Sequence, residues 1–322
     1  MYLLKAGVYF MQQYFTDGCD GKQIYVTVMD DVKDPKGVIQ IIHGMAEYAK
    51  RFEPLAKFFN EHGYIVFMDD HRAHGRTETD ADRGRCPGNI FLDTLKDEVL
   101  FYNQLKEKYN LPVFVLGHSY GSFLAQAFAQ EGTDCRAIGL IGTAHMGAGL
   151  MKTGAALLWP MHIICGKARL KAANNVSSLM FRYKGDSGKA QWVVKDSESR
   201  KNFLEDPMTG VDMSINFDYY MLKETGKLYG KKAKNKLSPT CPIAMFCGAD
   251  DPIGGYGKKV VKLKKFYESV GVPTEMHIYE GVRHEVHNDV DRENAMNDMV
   301  KFFDKYVVYK QTSIDDLLKE QE

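Results

Sequence analysis

A serine flanked by glycines is the first feature of this sequence that could do chemistry. The segment Gly117-His118-Ser119-Tyr120-Gly121 follows an apolar run and precedes an Ala-rich amphipathic stretch. A strand, a sharp turn and a helix in this order hold a serine hydroxyl above the edge of a sheet, where it can act as a nucleophile. Glycines on both sides let the strand and the helix pack closely. We therefore expect Ser119 to be a nucleophile; the alternative is a glycine-rich turn with a bystander serine.

A serine nucleophile needs two partners, and candidates for both come later in the chain. A histidine must remove the serine proton, and a buried carboxylate must fix the tautomer of that histidine and stabilise its charged form. His284 lies in the loop after the last predicted strand, and Asp250 and Asp251 lie directly after an earlier strand. Asp251 precedes Pro252, which favours it, but the spacing alone leaves both aspartates open. The order Ser, Asp, His is the order found in α/β-hydrolases.

The same chemistry needs backbone N–H groups that stabilise an oxyanion. A His43-Gly44 turn follows the β-branched run 38–42, at the place where this architecture supplies one such group. We assign one N–H to Met45 and the second to Tyr120, the residue after the nucleophile. The alternative for this turn is an ordinary strand-to-helix connection in which His43 satisfies local backbone groups.

The segments that must position these residues alternate between strand and helix patterns. Strands are predicted at 8–15, 23–29, 38–42, 64–68, 137–141, 242–247 and 275–279 and before Gly117, and amphipathic helices follow most of them, including 92–109. The first two strands are predicted to form an antiparallel hairpin across 16–22, where two Asp-Gly pairs favour turns. This rhythm predicts an α/β fold with a mostly parallel central sheet of about eight strands flanked by helices.

Residues 143–236 break the rhythm and show no clear strand pattern. Their apolar run 154–165, GAALLWPMHIIC, is too short to span a bilayer, so we expect a buried cap helix or the lining of an apolar tunnel. We expect a hydrolase core at 1–142 and 237–322, with 143–236 as an inserted helical cap. Six lysines between 223 and 236 face only Glu224, which indicates a solvated helix face or, alternatively, attraction to an anionic lipid surface.

Composition excludes several other classes of function. Lys plus Arg and Asp plus Glu number 42 each, so no global charge attracts nucleic acid. The first residues lack the pattern of a signal peptide, and the six cysteines show no C-x-x-C spacing, so we expect a cytoplasmic protein with free thiols. His71 and His74 could be metal ligands, but no third ligand has a convincing spacing. We therefore expect no metal and no cofactor.

Five motifs in order resemble the monoacylglycerol lipase and lysophospholipase branch of the α/β-hydrolases, a group also classed with the serine aminopeptidases. They are HGMAEYAKRF at 43–52, DDHRAHGRT at 69–77, GHSYG at 117–121, GADDPIGGYGK at 248–258 and GVRHEVH at 281–287. The resemblance covers about 18–303. It implies that Asp251, three residues after Gly248, is the catalytic carboxylate, and that a mobile cap covers an acyl tunnel. Relatives often carry Met where this chain has Tyr120, which leaves the shape of the entrance open.

A polar leaving-group pocket is a further expectation. Glu47 and Arg51 are four residues apart, so on a helix they share one face, and His287 lies three residues after the proposed base. The corresponding positions in monoacylglycerol lipases resemble the site that receives the glycerol end of the substrate. The alternative is an ion pair that braces the oxyanion turn, with His287 on the surface.

Together these features predict a cofactor-free serine hydrolase that cleaves carboxylic esters, either monoacylglycerols or lysolipid-like acyl esters, through an acyl-enzyme. The alternatives are a peptidase or amidase on the same scaffold, a non-catalytic binding protein, and a metal-dependent hydrolase that uses His71, His74, His284 and His287. The expected partners are a small or lipid-like ester and, through the cap, a transient membrane surface. Acyl length and oligomeric state have no signal in the sequence.

Overall fold

A mixed sheet of eight strands forms the centre of the protein, in a computed structural model that describes residues 10–169, 183, 186 and 189–307. The strands are β1 (Gln12–Asp17), β2 (Gln23–Met29), β3 (Gly37–Ile42), β4 (Tyr64–Asp70), β5 (Val113–His118), β6 (Ile138–Ile141), β7 (Ile243–Gly248) and β8 (Thr274–Tyr279). Their order is β1-β2-β4-β3-β5-β6-β7-β8, with β2 antiparallel to both neighbours and every pair from β4 to β8 parallel. The predicted α/β fold and parallel sheet are confirmed.

Helices cover both faces of this sheet. In chain order they are α1 (Glu53–Glu61), α2 (Ile90–Tyr109), α3 (Tyr120–Phe128), α4 (Ala148–Cys165), α5 (Ser197–Glu205), α6 (Ile215–Thr225), α7 (Lys231–Lys234), α8 (Lys258–Glu268) and α9 (Arg292–Asp304). Within β3, Val38 and Ile42 pack on the face that α2, α3 and α8 cover, whereas Ile39 and Ile41 pack on the face that α1 and α9 cover. Burial on both faces explains why this strand is a continuous β-branched run.

The opening hairpin forms, but its first strand lies later than predicted. The strand expected at 8–15 is β1 at Gln12–Asp17, and the predicted residues 8 and 9 lie outside the described part of the chain. Asp17 pairs with Gln23, and the Gly18 N–H donates to the Lys22 carbonyl at 2.7 Å, so the turn occupies 18–22. The second Asp-Gly pair therefore makes the turn, and the first ends the strand.

The residues between β6 and β7, called the insert below, contain α4 to α7. In the described part of the insert the only extended pairing is an isolated bridge between Arg169 and Ser214. Of the two expectations for the apolar run, a buried cap helix is wrong, because Leu157, Ile163 and Ile164 of α4 are 74%, 63% and 84% exposed. One side of α4 packs on α6, and several apolar residues elsewhere on the helix are exposed. No helix in the described ranges is long and apolar enough to cross a bilayer.

The turn after β5 packs against the end of β3 with no room for a side chain. A Cβ atom on Gly121 would lie 2.1 Å from the Ile42 carbonyl oxygen and 2.4 Å from the His43 carbonyl oxygen. These are backbone atoms within the sheet edge, so they cannot rotate away. Glycine at this position therefore sets how closely α3 approaches β3.

We predict that Gly121→Ala lowers the free energy of unfolding by about 2–4 kcal/mol, because a methyl group must displace backbone. Thermal and urea unfolding followed by circular dichroism measure this change. Gly88→Ala is the matched control, since a Cβ atom on Gly88 meets nothing within 4 Å. Equal stability of the two variants would contradict the packing described here.

Candidate active site

Ser119 stands on a strained turn between β5 and α3. Its backbone has φ 52° and ψ −116°, in the left-handed region that a residue with a side chain rarely adopts. Such a conformation costs about 1–3 kcal/mol and persists because the surroundings hold it. The Ser119 N–H donates to the Ile141 carbonyl at 3.0 Å, and the Ser122 hydroxyl donates to the Ser119 carbonyl at 2.6 Å. The strand, sharp turn and helix predicted around Ser119 are thus present in the backbone.

His284 and Asp251 meet directly. The Nδ1 atom of His284 lies 3.0 Å from Oδ2 of Asp251, and both side chains are buried. Burial lowers the pKa of His284, but the Asp251 carboxylate and its hydrogen bond raise it by more, so the net pKa lies above 6.5. The other carboxylate oxygen, Oδ1, accepts from the Ile253 N–H at 2.8 Å. Of the two candidate aspartates, Asp251 is the one whose carboxylate contacts the imidazole, while Asp250 is half-buried.

The same cavity is lined by Ser119 and by His284. Its volume is about 420 Å³, and its walls come from the turns after β3 and β5, from the His284 loop and from the insert. Nε2 of His284 is buried and has no hydrogen-bond partner among the described residues. A tautomer held at Nδ1 by Asp251 leaves Nε2 as an acceptor, which is what a general base needs.

The turn after β3 lies against the serine. A Cβ atom on Gly44 would lie 2.5 Å from Glu47 Oε1 and 3.1 Å from Ser119 Cβ, so a side chain here would require neighbouring atoms to shift. The Gly44 N–H donates to Glu47 Oε1 at 2.6 Å and is not available to a substrate. Met45 lines the cavity, and Tyr120 is the first residue of α3. The Met45 N–H follows the occupied Gly44 N–H, and the Tyr120 N–H follows Ser119. These two N–H groups remain the predicted oxyanion donors.

The Tyr120 side chain does not shape the entrance, a point that the sequence left open. It is 2% exposed and packs in the core, with its ring centroid 4.8 Å from that of Phe217 and 5.8 Å from that of Phe91. Tyr120 therefore places a buried aromatic ring at the N-terminus of α3.

Glu47 links the oxyanion turn to the nucleophile turn. In addition to the Gly44 N–H, its Oε1 accepts from His118 Nδ1 at 2.5 Å, and its Oε2 accepts from Arg51 Nε at 3.2 Å. Burial raises the pKa of Glu47, but His118 and Arg51 lower it by more, so the carboxylate is ionised. Sequence reasoning assigned no role to His118, although a titratable residue directly before the nucleophile was a signal for one.

Of the three predicted leaving-group residues, only Glu47 lines the cavity. Arg51 pairs with Glu285, a cavity residue, as well as with Glu47. His287 is buried rather than on the surface, and its ring stacks on Phe52 with centroids 4.7 Å apart. Burial and neighbouring His118 hold the pKa of His287 well below 6.5, and both of its nitrogens lack a partner among the described residues.

A second group of histidines contacts His43 in the turn after β3. Nε2 of His43 accepts from the His71 N–H at 2.9 Å, and the two rings stack with centroids 3.7 Å apart. Nδ1 of His71 lies 2.8 Å from Asp69 and 3.2 Å from Glu98, and these three side chains form the only group in the described ranges whose donor atoms could hold a metal ion. Burial and Asp69 raise the pKa of Glu98 well above its usual value. His74, the metal partner considered from spacing, is not in the group.

Residues of the insert close the cavity on its other side, and sequence reasoning did not find them. The Trp192 ring centroid is 5.1 Å from that of His284, and Phe203, Ala190 and Val193 are also in the cavity wall. No spacing rule connects the insert to the catalytic loops, because these residues come from irregular chain and a short helix. Only their apolar character was a signal.

Comparisons with known proteins identify the family and the fold. The family model described as "Serine aminopeptidase, S33" matches residues 33–291. The chain is 24% identical to a monoglyceride lipase homolog of monkeypox virus over 84% of this chain and 90% of that protein. It is 26% identical to a phospholipase of Bacillus subtilis (strain 168) over 85% and 97%. The crystal structure of a thermostable carboxyl esterase from Bacillus coagulans in complex with glycerol superposes with a TM-score of 0.82, at 26% identity, over 92% of this chain and 99% of that one.

The family model covers most of the chain, and its match includes the strained serine turn and the parallel strands. The chain therefore belongs to the serine aminopeptidase S33 family and lies in the monoacylglycerol lipase branch of the α/β-hydrolases, a branch of carboxylic ester hydrolases.

Proposed function

We propose that this protein hydrolyses monoacylglycerols or lysolipid-like acyl esters through an acyl-enzyme on Ser119. The observation that carries the proposal is the contact between His284 Nδ1 and Asp251 Oδ2 beside a cavity that Ser119 also lines. The similarity to a monoglyceride lipase homolog, to a phospholipase and to an esterase that binds glycerol supports this class of substrate.

The mechanism follows from the positions of these groups. Nε2 of His284 takes the proton of the Ser119 hydroxyl as its oxygen attacks the ester carbonyl carbon, and the carbonyl oxygen becomes an oxyanion. The N–H groups of Met45 and Tyr120 stabilise that oxyanion, and Asp251 stabilises the imidazolium. The C–O bond to the alcohol then breaks, and the alcohol leaves with the proton from His284. A water molecule, deprotonated by the same imidazole, hydrolyses the acyl-enzyme and restores Ser119.

The cavity has two kinds of wall, which suits an amphipathic ester. Trp192, Val193 and Phe203 from the insert are apolar, whereas Glu47 and Glu285 carry carboxylates. We assign the apolar side to the acyl chain and the carboxylate side to the alcohol. The unpartnered nitrogens of buried His287, whose ring is 5.1 Å from that of His118, support a polar alcohol subsite that includes Glu47, Arg51 and His287.

The insert is proposed to act as a cap, with residues 143–236 over a core of 1–142 and 237–322. The exposed apolar residues of α4 support contact between this cap and a membrane surface. Lys223 of α6 lies 5.4 Å from the Tyr219 ring, and that ring stacks on His162 of α4. A cationic group of α6 therefore lies near α4, and cationic groups are attracted to anionic lipid surfaces.

Ser119→Ala should abolish labelling by a fluorophosphonate and lower turnover of a monoacylglycerol by about 10⁴-fold or more. Asp251→Asn should lower kcat by about 10³–10⁴-fold because the imidazole loses its orienting carboxylate. Asp250→Asn is the matched control and should stay within about fivefold of the unaltered protein, since the Asp251 carboxylate is the one on His284. Labelling of the Ser119→Ala protein, or equal losses in the two Asn variants, would contradict the assignment. Faster cleavage of aminoacyl amides than of esters would favour a peptidase.

His287→Leu tests the alcohol subsite. It keeps an apolar group of similar size against Phe52 but removes two nitrogens. We expect kcat/KM for a monoacylglycerol to fall about tenfold more than kcat/KM for the p-nitrophenyl ester of the same acyl chain, because removal of the nitrogens beside His118 changes the polar surroundings of Glu47, the subsite residue that lines the cavity. Equal losses on both esters together with a lower melting temperature would show that the side chain only braces the fold.

Replacement of Leu157 and Ile164 by Glu tests the membrane contact. Burial of each side chain in lipid is worth about 1.5–3 kcal/mol, so binding to phosphatidylserine-containing vesicles should weaken by at least about tenfold, while hydrolysis of a dissolved acetyl ester stays unchanged. Val261→Glu, at a residue that is 39% exposed on α8, is the control. Vesicle binding that is equally weak in both variants, or unaffected in both, would count against α4 as the contact.

A further inference from the structure

Among the described residues, a group of hydrogen bonds and ring contacts joins the insert to the loops that carry His284 and Asp251. The contacting residues are Tyr183, Asp186 and residues 189–196, called the anchor stretch below. These contacts lie outside the sheet, and no step of the proposed mechanism uses them. They involve the residues immediately before and after the base and the residue immediately before the acid.

Arg283, directly before His284, is the centre of these contacts. It is 5% exposed, and its Nη1 donates to Asp186 Oδ2 at 2.7 Å and to the Gln191 carbonyl at 2.6 Å. Its guanidinium lies 4.1 Å from the centroid of the Tyr183 ring. A buried guanidinium that has an ion pair, a carbonyl acceptor and an aromatic face is fixed in one orientation. The backbone at His284 is therefore held from its N-terminal side.

The other side of His284 is held as well. The Glu285 N–H donates to the Val193 carbonyl at 2.9 Å. The buried Asp289 carboxylate accepts from the Lys195 N–H at 2.9 Å, from the Asp196 N–H at 3.0 Å and, through its second oxygen, from the Arg283 N–H at 2.7 Å. One carboxylate thus joins the backbone of the anchor stretch to the backbone of the base loop.

Tyr183 extends the link to the loop of the acid. Its hydroxyl donates to the carbonyl of Asp250, the residue before Asp251, while its ring lies against Arg283. The Asp250 N–H in turn donates to the Val282 carbonyl at 3.0 Å. A single side chain of the insert therefore contacts the neighbours of both the acid and the base.

We propose that Tyr183 and Arg283 are positioning residues through which the insert sets the geometry of the His284 and Asp251 pair. The pair is aligned while the anchor stretch sits on the two loops, and displacement of the insert loosens it. The inference rests on the proposed function. Misplacement of a catalytic group by about 1 Å is enough to lower a rate substantially, so these contacts act on catalysis as well as on stability.

Tyr183→Phe and Arg283→Met test the inference. Tyr183→Phe removes one hydroxyl and keeps the ring against Arg283. Loss of one hydrogen bond of this kind corresponds to a fall in kcat of about three- to tenfold, with KM unchanged and with equal effects on acetyl and long-chain esters. Arg200→Met is the matched control, because Arg200 pairs with the same Oδ2 of Asp186 but lies in α5 rather than in the loop of His284 or of Asp251.

The pH dependence of kcat/KM provides the readout that a purely structural role would not move. Asp251 raises the pKa of His284, and the other titratable groups around the ring are Glu285, Glu47 and His118. A looser Asp251 contact stabilises the imidazolium less, so the acidic limb should shift to lower pH in Tyr183→Phe. Arg200→Met should retain both the kcat and the acidic limb of the unaltered protein, even if its melting temperature falls.

The outcomes separate this inference from the proposed function. Fluorophosphonate labelling of the unaltered protein comes first, and its absence would overturn the proposed function together with the inference. If the unaltered protein is labelled but Tyr183→Phe shows unchanged kcat and an unchanged acidic limb, only the inference is overturned. If Arg283→Met does not fold, Tyr183→Phe still decides, because it removes a single oxygen atom.

Discussion

The close approach of the turn after β3 to the turn after β5 is the constraint on which the site depends. Two glycines make it sterically possible, since a side chain on Gly121 or on Gly44 would meet the β3 carbonyls or Ser119 itself. The Glu47 carboxylate then fixes the distance by accepting from the Gly44 N–H and from His118. This carboxylate occupies the Gly44 N–H, and the next N–H, at Met45, is the one that the proposed mechanism assigns to the oxyanion. The strained backbone of Ser119 persists because both sides of the turn are held in this way.

The pKa values of the buried titratable groups depend on which charged groups lie next to them. Glu47 is ionised because His118 and Arg51 outweigh its burial, whereas His43 and His287 lack such compensation, and burial holds their pKa values well below 6.5. His284 differs from them because Asp251 more than offsets its burial. A base whose pKa is raised in this way accepts the serine proton readily and can return it to the leaving alcohol. The electrostatics of the site therefore follow from which imidazole has a carboxylate at Nδ1.

Sequence reasoning found the parts of this protein that obey local rules. The β-branched run before His43 and the glycines around Ser119 predicted strand, turn and helix, and the confirmed fold contains all of them. The choice between Asp250 and Asp251 stayed open from spacing and needed the family pattern, because two adjacent carboxylates at a strand end differ only in which way the loop turns. The expectation of a buried α4 helix was wrong, because composition shows how apolar a helix is but not how much of its surface other residues cover. Trp192 and the anchor stretch had no signal beyond the apolar character of some of their residues, because their role depends on long-range contacts between irregular segments.

The central claim is that Ser119 carries the acyl group during turnover. The most direct measurement mixes the protein with a p-nitrophenyl ester, quenches the reaction with acid within the first turnover and maps the acylated peptide by mass spectrometry. The account predicts a burst of one p-nitrophenol per chain and an acyl group on Ser119 that disappears as the substrate is exhausted. Steady turnover without a burst and without an adduct, or an adduct on another residue, would contradict it.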